Sequence, residues 1–163
     1  MVTTTATHTG IEVSPAEALL AAAGPILDRL VGLSADAPEA AVTALSGLDL
    51  AAFEALLRAG HAEGWVTPRE GGGVRFGRLS KAVPASRGFT IDVVDMHSAA
   101  TGAHTHPLGE FDLCFSLEGK PTFDGNAGPW LVYPPGSRHV PTVTGGRMLI
   151  VYFLPEGAIR FEA

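Results

Sequence analysis

The sequence has one cysteine in 163 residues, Cys114, so no disulfide can form within the chain. Positive charge is scarce as well: 11 Lys and Arg stand against 17 Asp and Glu, which leaves a net charge of −6. Proteins that wrap nucleic acid or bind an anionic membrane surface need an excess of positive charge. We therefore expect neither nucleic acid nor a membrane as a partner.

Long apolar runs and targeting signals are also missing. No apolar run approaches the roughly 18 residues of a membrane-spanning helix. Residues 1–10 have neither the basic start nor the apolar core of a secretory signal. These absences predict a cytoplasmic protein.

The distribution of alanine, glycine and proline divides the chain into two parts. Residues 1–65 contain 16 Ala, 6 Gly and 3 Pro, whereas residues 66–163 contain 8 Ala, 14 Gly and 9 Pro. Alanine favours helices, and the other two favour turns. We predict a helical N-terminal extension over residues 1–64 and a strand-rich domain over residues 65–163.

Local signals refine this division. Ser14 and Glu17 form a capping box, Pro25 is expected to kink or split the first helix, and Gly60 is predicted to end the last one. Five β-rich runs separated by Gly and Pro clusters follow, at 74–79, 89–96, 111–117, 130–133 and 148–154. Many short strands with frequent turns predict a mainly β barrel or sandwich.

Three of the six histidines, His104, His106 and His139, lie in the strand-rich part. Residues two apart on a strand project to the same face, so His104 and His106 can act together. Imidazoles held on a rigid strand are good ligands for Zn, Fe, Mn, Ni or Cu, and Glu110 could add a carboxylate. A strand and a tight Pro-Gly turn over residues 128–136 then lead to His139.

These segments resemble the two motifs of the cupin superfamily. The matching positions are His104, His106, Glu110 and Gly119 in the first motif, and Gly128, Pro134, Gly136 and His139 in the second. Val143 stands where the superfamily has Asn, and the gap from Glu110 to Gly119 is longer than usual. The resemblance implies a small jelly-roll barrel that binds one divalent transition metal (Fe, Mn or Zn) through His104, His106, Glu110 and His139. It also implies a homodimer.

Asp112 is an alternative to Glu110. It restores the usual gap to Gly119, and it shares strand parity with Glu110, so both carboxylates are expected to face the barrel interior. Which of them is the ligand stays open here, with Glu110 favoured. Acid–base catalysis is the other role for Glu110, and Asp112 could share it, because burial moves a carboxyl pKa toward neutrality.

A closer resemblance is to the family of 4-hydroxylaminobenzoate lyase. It rests on residues 106–114, 123–125, 135–143 and 152–159. It implies an enzyme that converts 4-hydroxylaminobenzoate and water into protocatechuate (3,4-dihydroxybenzoate) and ammonia during nitrobenzoate degradation. A cupin oxygenase or isomerase acting on another small aromatic or keto acid, or a non-catalytic ligand-binding cupin, stays open as an alternative.

A small aromatic acid as substrate requires a partner for its carboxylate, and the planar guanidinium of arginine suits that task. Arg78, on the predicted first strand of the barrel, is the first candidate, and Arg138 is the second. Tyr152, on a late strand, could donate a hydrogen bond inside the barrel. We therefore expect the catalytic residues to be Glu110, Asp112 and Tyr152.

Of the other histidines, His8 lies in the N-terminal tail, and His61 and His97 have no companion at ligand spacing. We expect no functional role for them. Cys114 lies among apolar residues of a predicted strand, and we expect it to be a packed core thiol.

Overall fold

The computed structural model describes residues 12–162, so His8 lies outside the described residues. Four helices come first: α1 (Pro15–Ala22), α2 (Gly24–Val31), α3 (Pro38–Leu45) and α4 (Ala51–Glu63). The strands of the described residues follow: β1 (Arg69–Gly71), β2 (Val74–Ser80), β3 (Phe89–His97), β4 (His104–His106), β5 (Glu110–Phe123), β6 (Trp130–Tyr133), β7 (Ser137–His139), β8 (Val143–Pro155) and β9 (Arg160–Phe161).

Local signals account for the first helices. The Ser14 Oγ accepts a hydrogen bond from the backbone N–H of Glu17, and the Glu17 carboxylate accepts one from the backbone N–H of Ser14, both at 3.2 Å. This is the expected capping box. Pro25 lies in the first turn of α2, and the chain is split there into two helices. Within residues 12–162, no helix has the length and apolar character needed to cross a membrane.

The predicted end of the last helix at Gly60 is wrong. Helix α4 continues to Glu63, and Gly64 ends it with a φ of 90°, a left-handed conformation that glycine adopts without strain. At Gly60, a Cβ would lie 2.4 Å from Cζ2 of Trp65 and 2.6 Å from Cγ2 of Val66. Gly60 therefore serves the close return of the chain onto α4, which local sequence does not reveal.

The strands form two antiparallel sheets. The order in the larger sheet is β1-β2-β3-β8-β5-β6, and the order in the smaller one is β7-β4-β9. Strand β8 comes late in the chain but lies between β3 and β5. Two antiparallel sheets that enclose a common interior are the arrangement of a jelly roll. The predicted fold class, a mainly β cupin barrel preceded by helices, is confirmed.

The central strands of the larger sheet are buried on both faces, and their side chains alternate between the two faces. On β8, Leu149 and Val151 belong to a core shared with the four helices. Ile150 and Tyr152 face the barrel interior instead. The alternation thus decides which side chains face the candidate site. The division into two domains at residue 65 stays a prediction.

Candidate metal centre

Two short strands of the smaller sheet bring three histidines together. In the antiparallel pair of β4 and β7, His104 lies opposite His139, and His106 lies opposite Ser137. His104 and His106 are two residues apart on β4 and both are buried. They therefore project together into the barrel.

Glu110, the first residue of β5, approaches these histidines from the larger sheet. Its Oε2 lies 2.6 Å from Nε2 of His106 and 3.4 Å from Nε2 of His139. Nε2 of His139 in turn lies 3.0 Å from Nε2 of His104. One ligand atom from each of these four side chains lies within 4.8 Å of all the others. We call His104, His106, Glu110 and His139 the four-ligand group.

The four-ligand group fits a divalent transition metal. Imidazole nitrogens and carboxylate oxygens bind such ions at about 2.0–2.2 Å, so ligand atoms around one ion lie about 3 Å apart. Among the described residues, neither Nε2 of His106 nor the Glu110 oxygens have a partner in hydrogen-bond geometry, although all are buried. Buried polar atoms without partners are rare in proteins. A shared metal ion would satisfy them, so the group could hold one.

Two contacts from outside the group orient its imidazoles. Oδ2 of Asp124, in the turn after β5, lies 2.5 Å from Nδ1 of His139. Oγ of Ser137 lies 3.1 Å from Nδ1 of His106. When Nδ1 of His139 donates to Asp124, its Nε2 is left to face the four-ligand group. The hydroxyl of Tyr133 donates to the same oxygen of Asp124 and fixes that carboxylate in turn.

The charges in the group shift the pKa values of its members. Burial lowers the pKa of His139, but the carboxylates of Asp124 and Glu110 outweigh burial and raise the pKa to about 9. Burial raises the pKa of Glu110, but the imidazoles of His106 and His139 outweigh it and leave the pKa lowered. Burial also lowers the pKa of His104. In the metal-free protein His139 is therefore protonated at neutral pH, and a metal ion would displace that proton.

Asp112 lies two residues beyond Glu110 and is also fully buried. Its oxygens are not among the converging ligand atoms, and they have no hydrogen-bond partner in residues 12–162. Burial and the charge of Glu110 raise the pKa of Asp112 well above its usual value. The geometry thus separates the two carboxylates, with Glu110 among the histidines and Asp112 next to them in surroundings that favour its protonated form.

A cavity of about 900 Å³ lies beside the four-ligand group and is lined by His104, Glu110 and Tyr152. Its apolar lining includes Phe76, Leu79, Val94, Leu154, Ile159 and Phe161. A cavity of this size, largely apolar with a few convergent polar groups, is typical of a small-molecule site.

The charged residues that line this cavity include one more cation than carboxylates. Arg69, Arg78 and Lys81 line it, and the carboxylates that line it are Asp92 and Glu110. The whole chain, by contrast, has a net charge of −6. A cavity with a small excess of positive charge in an acidic protein favours an anionic ligand.

A row of polar residues crosses the larger sheet from Arg78 to Asp112. In register, Arg78 lies opposite Asp92, Asp92 opposite Tyr152, and Tyr152 opposite Asp112. Arg78 donates from Nε to Oδ1 of Asp92 at 2.7 Å and from Nη2 to Oδ2 at 3.2 Å. Neighbouring strands lie about 4.8 Å apart, so the Cα atoms at the two ends of this polar row are about 14 Å apart. Arg78 at one end of the row lines the same cavity as His104 and Glu110 of the four-ligand group.

A family model described as "PnbB: 4-hydroxylaminobenzoate lyase" matches residues 46–161, a range that includes α4, all strands from β1 to β9 and the four-ligand group. The chain belongs to the 4-hydroxylaminobenzoate lyase family. The resemblance noted in the sequence is confirmed.

Two curated proteins similar to this chain are named 4-hydroxylaminobenzoate lyase. The one from Pseudomonas putida is 27% identical over 120 residues, which are 63% of this chain and 68% of that protein. The one from Nocardioides sp. (strain LMS-CY) is 30% identical over 116 residues, which are 66% of this chain and 69% of that protein. Among solved structures, an RmlC-like cupin protein from Ralstonia eutropha JMP134 matches 56% of this chain at 16% identity, with a TM-score of 0.42. The chain spans 60% of that structure.

The two arginine candidates of this lyase-family chain lie in different places. Arg78 lines the cavity. Arg138 is exposed on β7 and is not among the lining residues, and its Nη2 donates to Oε2 of Glu162 at 3.0 Å. The structure therefore places Arg78 in the cavity beside the four-ligand group and leaves Arg138 in a surface ion pair.

The remaining singled-out residues lie outside the four-ligand group. Nε2 of His61, on α4, lies 2.8 Å from Oδ2 of Asp95 on β3, so this histidine joins a helix to the sheet. His97 is exposed at the end of β3. Cys114 is buried in the barrel interior, where burial raises the pKa of its thiol.

Sequence reasoning missed two residues of this lyase-family site, Asp92 and Asp124. Asp92 interrupts the apolar strand β3, and a charged residue within an apolar run was the available signal. Asp124 lies in a segment that resembles the family, but its contact with His139 spans 15 residues and has no characteristic spacing.

Proposed function

We propose that this protein is a metal-dependent lyase that converts 4-hydroxylaminobenzoate and water into protocatechuate and ammonia, in the cytoplasm, as part of nitroaromatic degradation. One observation carries the proposal: a single cavity is lined both by Arg78 and by members of the four-ligand group. The reaction balances without an external oxidant, because the weak N–O bond of the substrate supplies the oxidising equivalents.

The reaction sets four tasks for the site. A group must bind the benzoate carboxylate, and a proton must reach the departing N-hydroxyl. Water must be added to the electron-poor ring, and the carbon–nitrogen bond must break. Residues that line the cavity, together with buried neighbours of the four-ligand group, can be matched to these tasks one by one.

Arg78 is the proposed partner of the substrate carboxylate. Its guanidinium is held by Asp92 and half-exposed to the cavity, so it can accept a second carboxylate while keeping its orientation. The polar row places this arginine several strands away from the four-ligand group. The interval of about 14 Å between the Cα atoms of Arg78 and Asp112, reduced by the side chains at both ends, suits one ring with substituents at opposite positions.

The proposed metal ligands are His104, His106, Glu110 and His139. Three imidazoles and a carboxylate suit Fe, Mn or Zn. When bound, such an ion would act as a Lewis acid toward the departing hydroxyl or lower the pKa of a water molecule.

Asp112 and Tyr152 are the proposed proton-handling residues. They lie opposite one another on β5 and β8. Burial, together with the neighbouring carboxylates, raises the pKa of both side chains and favours their protonated forms. A buried acid next to the N-hydroxyl can donate the proton with which it leaves as water. Glu110 keeps its negative charge and is suited to hold the metal.

The test is ammonia release from 4-hydroxylaminobenzoate by the purified protein, without oxygen, before and after treatment with a chelator. We expect ammonia and protocatechuate in equal amounts, loss of both after chelation, and recovery with one of Fe²⁺, Mn²⁺ or Zn²⁺. Turnover that requires oxygen would identify an oxygenase instead. Tight binding without turnover would identify a non-catalytic ligand-binding protein.

A further inference from the structure

Phe161 is the most exposed of the large hydrophobic side chains in the described part of the chain, with 69% of its surface open to solvent. It nevertheless lines the cavity. Its ring also lies edge-to-face with the imidazole of His104, with 5.6 Å between ring centroids. Phe161 is thus exposed although it lies beside a buried candidate metal ligand. Such an aromatic ring can pack against a molecule that binds in the cavity.

The backbone of the C-terminal segment fixes where this ring stands. Strand β9 pairs with β4 in a register that sets Phe161 opposite His104. The backbone N–H of Glu162 donates to the carbonyl oxygen of Ala103 at 3.1 Å. Phe161 is thus attached to the strand that carries two of the four candidate ligands.

An ion pair next to Phe161 holds the same segment from the other side. Both guanidinium nitrogens Nε and Nη2 of Arg138, on β7, donate to the carboxylate of Glu162. Strands β7 and β9 flank β4 on its two edges, so this pair connects the outer strands of the smaller sheet. Two parallel hydrogen bonds between arginine and a carboxylate give a defined geometry as well as attraction.

We propose that Phe161 determines specificity for aromatic acids by packing against the substrate ring, and that Arg138 and Glu162 are positioning residues that hold Phe161 in place. The identity of the ring rests on the proposed function. The apolar lining from Phe76, Leu154 and Ile159 gives a flat molecule further apolar surface in the same cavity. Arg78 supplies the charge for its carboxylate, and Phe161 the contact for its ring.

The first experiment measures binding of 4-aminobenzoate, which lacks the reactive N–O bond, to the metal-loaded protein by calorimetry. Phe161→Ala is expected to weaken binding about tenfold, because the ring contact and its buried area are lost together. Phe161→Trp should bind within about threefold of the unmodified protein, since it keeps an aromatic face. Val83→Ala is the matched control, because Val83 is also an exposed hydrophobic residue but does not line the cavity.

The second experiment tests the positioning pair. Arg138→Glu and Glu162→Arg should each weaken 4-aminobenzoate binding, and the double variant with the charges exchanged should recover most of it. Cyclohexanecarboxylate serves as a non-aromatic comparison, and its binding should change less in every variant. A general loss of stability would weaken both ligands equally and would not be rescued by exchange of the charges.

Several results would overturn the inference. The first is an affinity for 4-aminobenzoate that is unchanged in Phe161→Ala, and the second is the absence of any binding to the unmodified protein. The third is a loss of metal in the variant that accounts for its weaker binding. The fourth is a changed oligomeric mass, which would place Phe161 in a subunit interface. Failure of the proposed lyase function would give a different result from failure of this inference. The unmodified protein would then bind 4-aminobenzoate through Phe161 but would release no ammonia from 4-hydroxylaminobenzoate.

Discussion

At the scale of single residues, Arg78 is the side chain whose role is easiest to isolate. It lines the cavity but does not belong to the four-ligand group. Replacement by alanine should raise KM for 4-hydroxylaminobenzoate about tenfold, because a charge-assisted hydrogen bond to the substrate carboxylate is lost. Metal content should not change. Lys120→Ala, which removes a positive charge outside the cavity, is the control, and equal kinetics in both variants would exclude Arg78 from the site.

Asp124 is expected to act on the metal through His139. Asp124→Asn keeps the shape of the side chain but removes the charge that orients Nδ1 of His139. Loss of such a hydrogen-bond partner typically lowers the metal affinity about 10- to 100-fold. Competition with a chelator, followed by metal analysis, measures the change. His104→Ala should abolish binding, whereas Asp28→Asn, at the surface, should leave the affinity unaltered.

The pH dependence of metal uptake follows from the pKa of His139. Because this pKa is raised to about 9 in the metal-free protein, the metal must displace a proton at any lower pH. Apparent metal affinity should therefore fall about tenfold for each pH unit below 9 from this residue alone. Titrations at pH 6, 7 and 8 would measure it. An affinity independent of pH over that range would mean that His139 is not protonated before the metal binds.

The residue scale also shows what sequence can and cannot predict. Strand parity and short spacing predict which face of a strand a side chain occupies. They were therefore enough to identify His104, His106 and Glu110 as candidates. Asp124 and Phe161 could not be identified in this way. Asp124 reaches His139 because the end of β5 pairs with the start of β8, and Phe161 reaches His104 because β9 pairs with β4.

At the scale of elements, one buried carboxylate joins α4, β3 and β8. Asp95 accepts two hydrogen bonds from Arg147 on β8 and lies 2.8 Å from Nε2 of His61 on α4. Burial raises the pKa of Asp95, but Arg147 and His61 outweigh burial and leave the pKa lowered. A depressed pKa stabilises the fold above the unfolded pKa of about 3.9, and this contribution is lost as the pH falls through the folded value.

Asp95→Ala should accordingly destabilise the protein by roughly 3 kcal/mol at pH 7. This is the low end for breaking a buried ion pair, because Arg147 stays partly exposed and retains Glu118. Urea unfolding measures the change. The matched control is Asp28→Ala, which removes the carboxylate of an exposed pair with Arg87 and should cost less than about 1 kcal/mol. If both variants lost similar amounts of unfolding free energy, burial of Asp95 would not be what makes its ion pair stabilising.

Long elements were predictable and short ones were not. The core strands β3, β5 and β8 appear in the sequence as β-rich runs, because burial on both faces leaves an almost uninterrupted apolar segment. Strands β1, β7 and β9 have two or three residues each, too few to show a period. Strands β7 and β9 also depend on a partner distant in sequence, β4, which they flank and which carries His104.

At the scale of the whole molecule, the helices and the larger sheet depend on one another. Residues from all four helices belong to the core that covers the outer face of the sheet. A chain that begins at residue 65 would expose that face to water and is expected to aggregate. Gel filtration of this fragment measures the outcome. A folded, monodisperse fragment would establish the strand-rich part as an independent domain.

The homodimer also stays a prediction, which sedimentation of the intact protein would test.

The position of β8 has a consequence for how the protein is made. Residues 143–155 are synthesised after β3 and β5, yet they are the strand that lies between these two. Until β8 leaves the ribosome, the neighbouring strands β3 and β5 present unpaired backbone and apolar side chains to the cellular milieu. We therefore expect the nascent chain to need protection by chaperones during this interval. Conditions that slow translation before residue 143 should lower the yield of native protein.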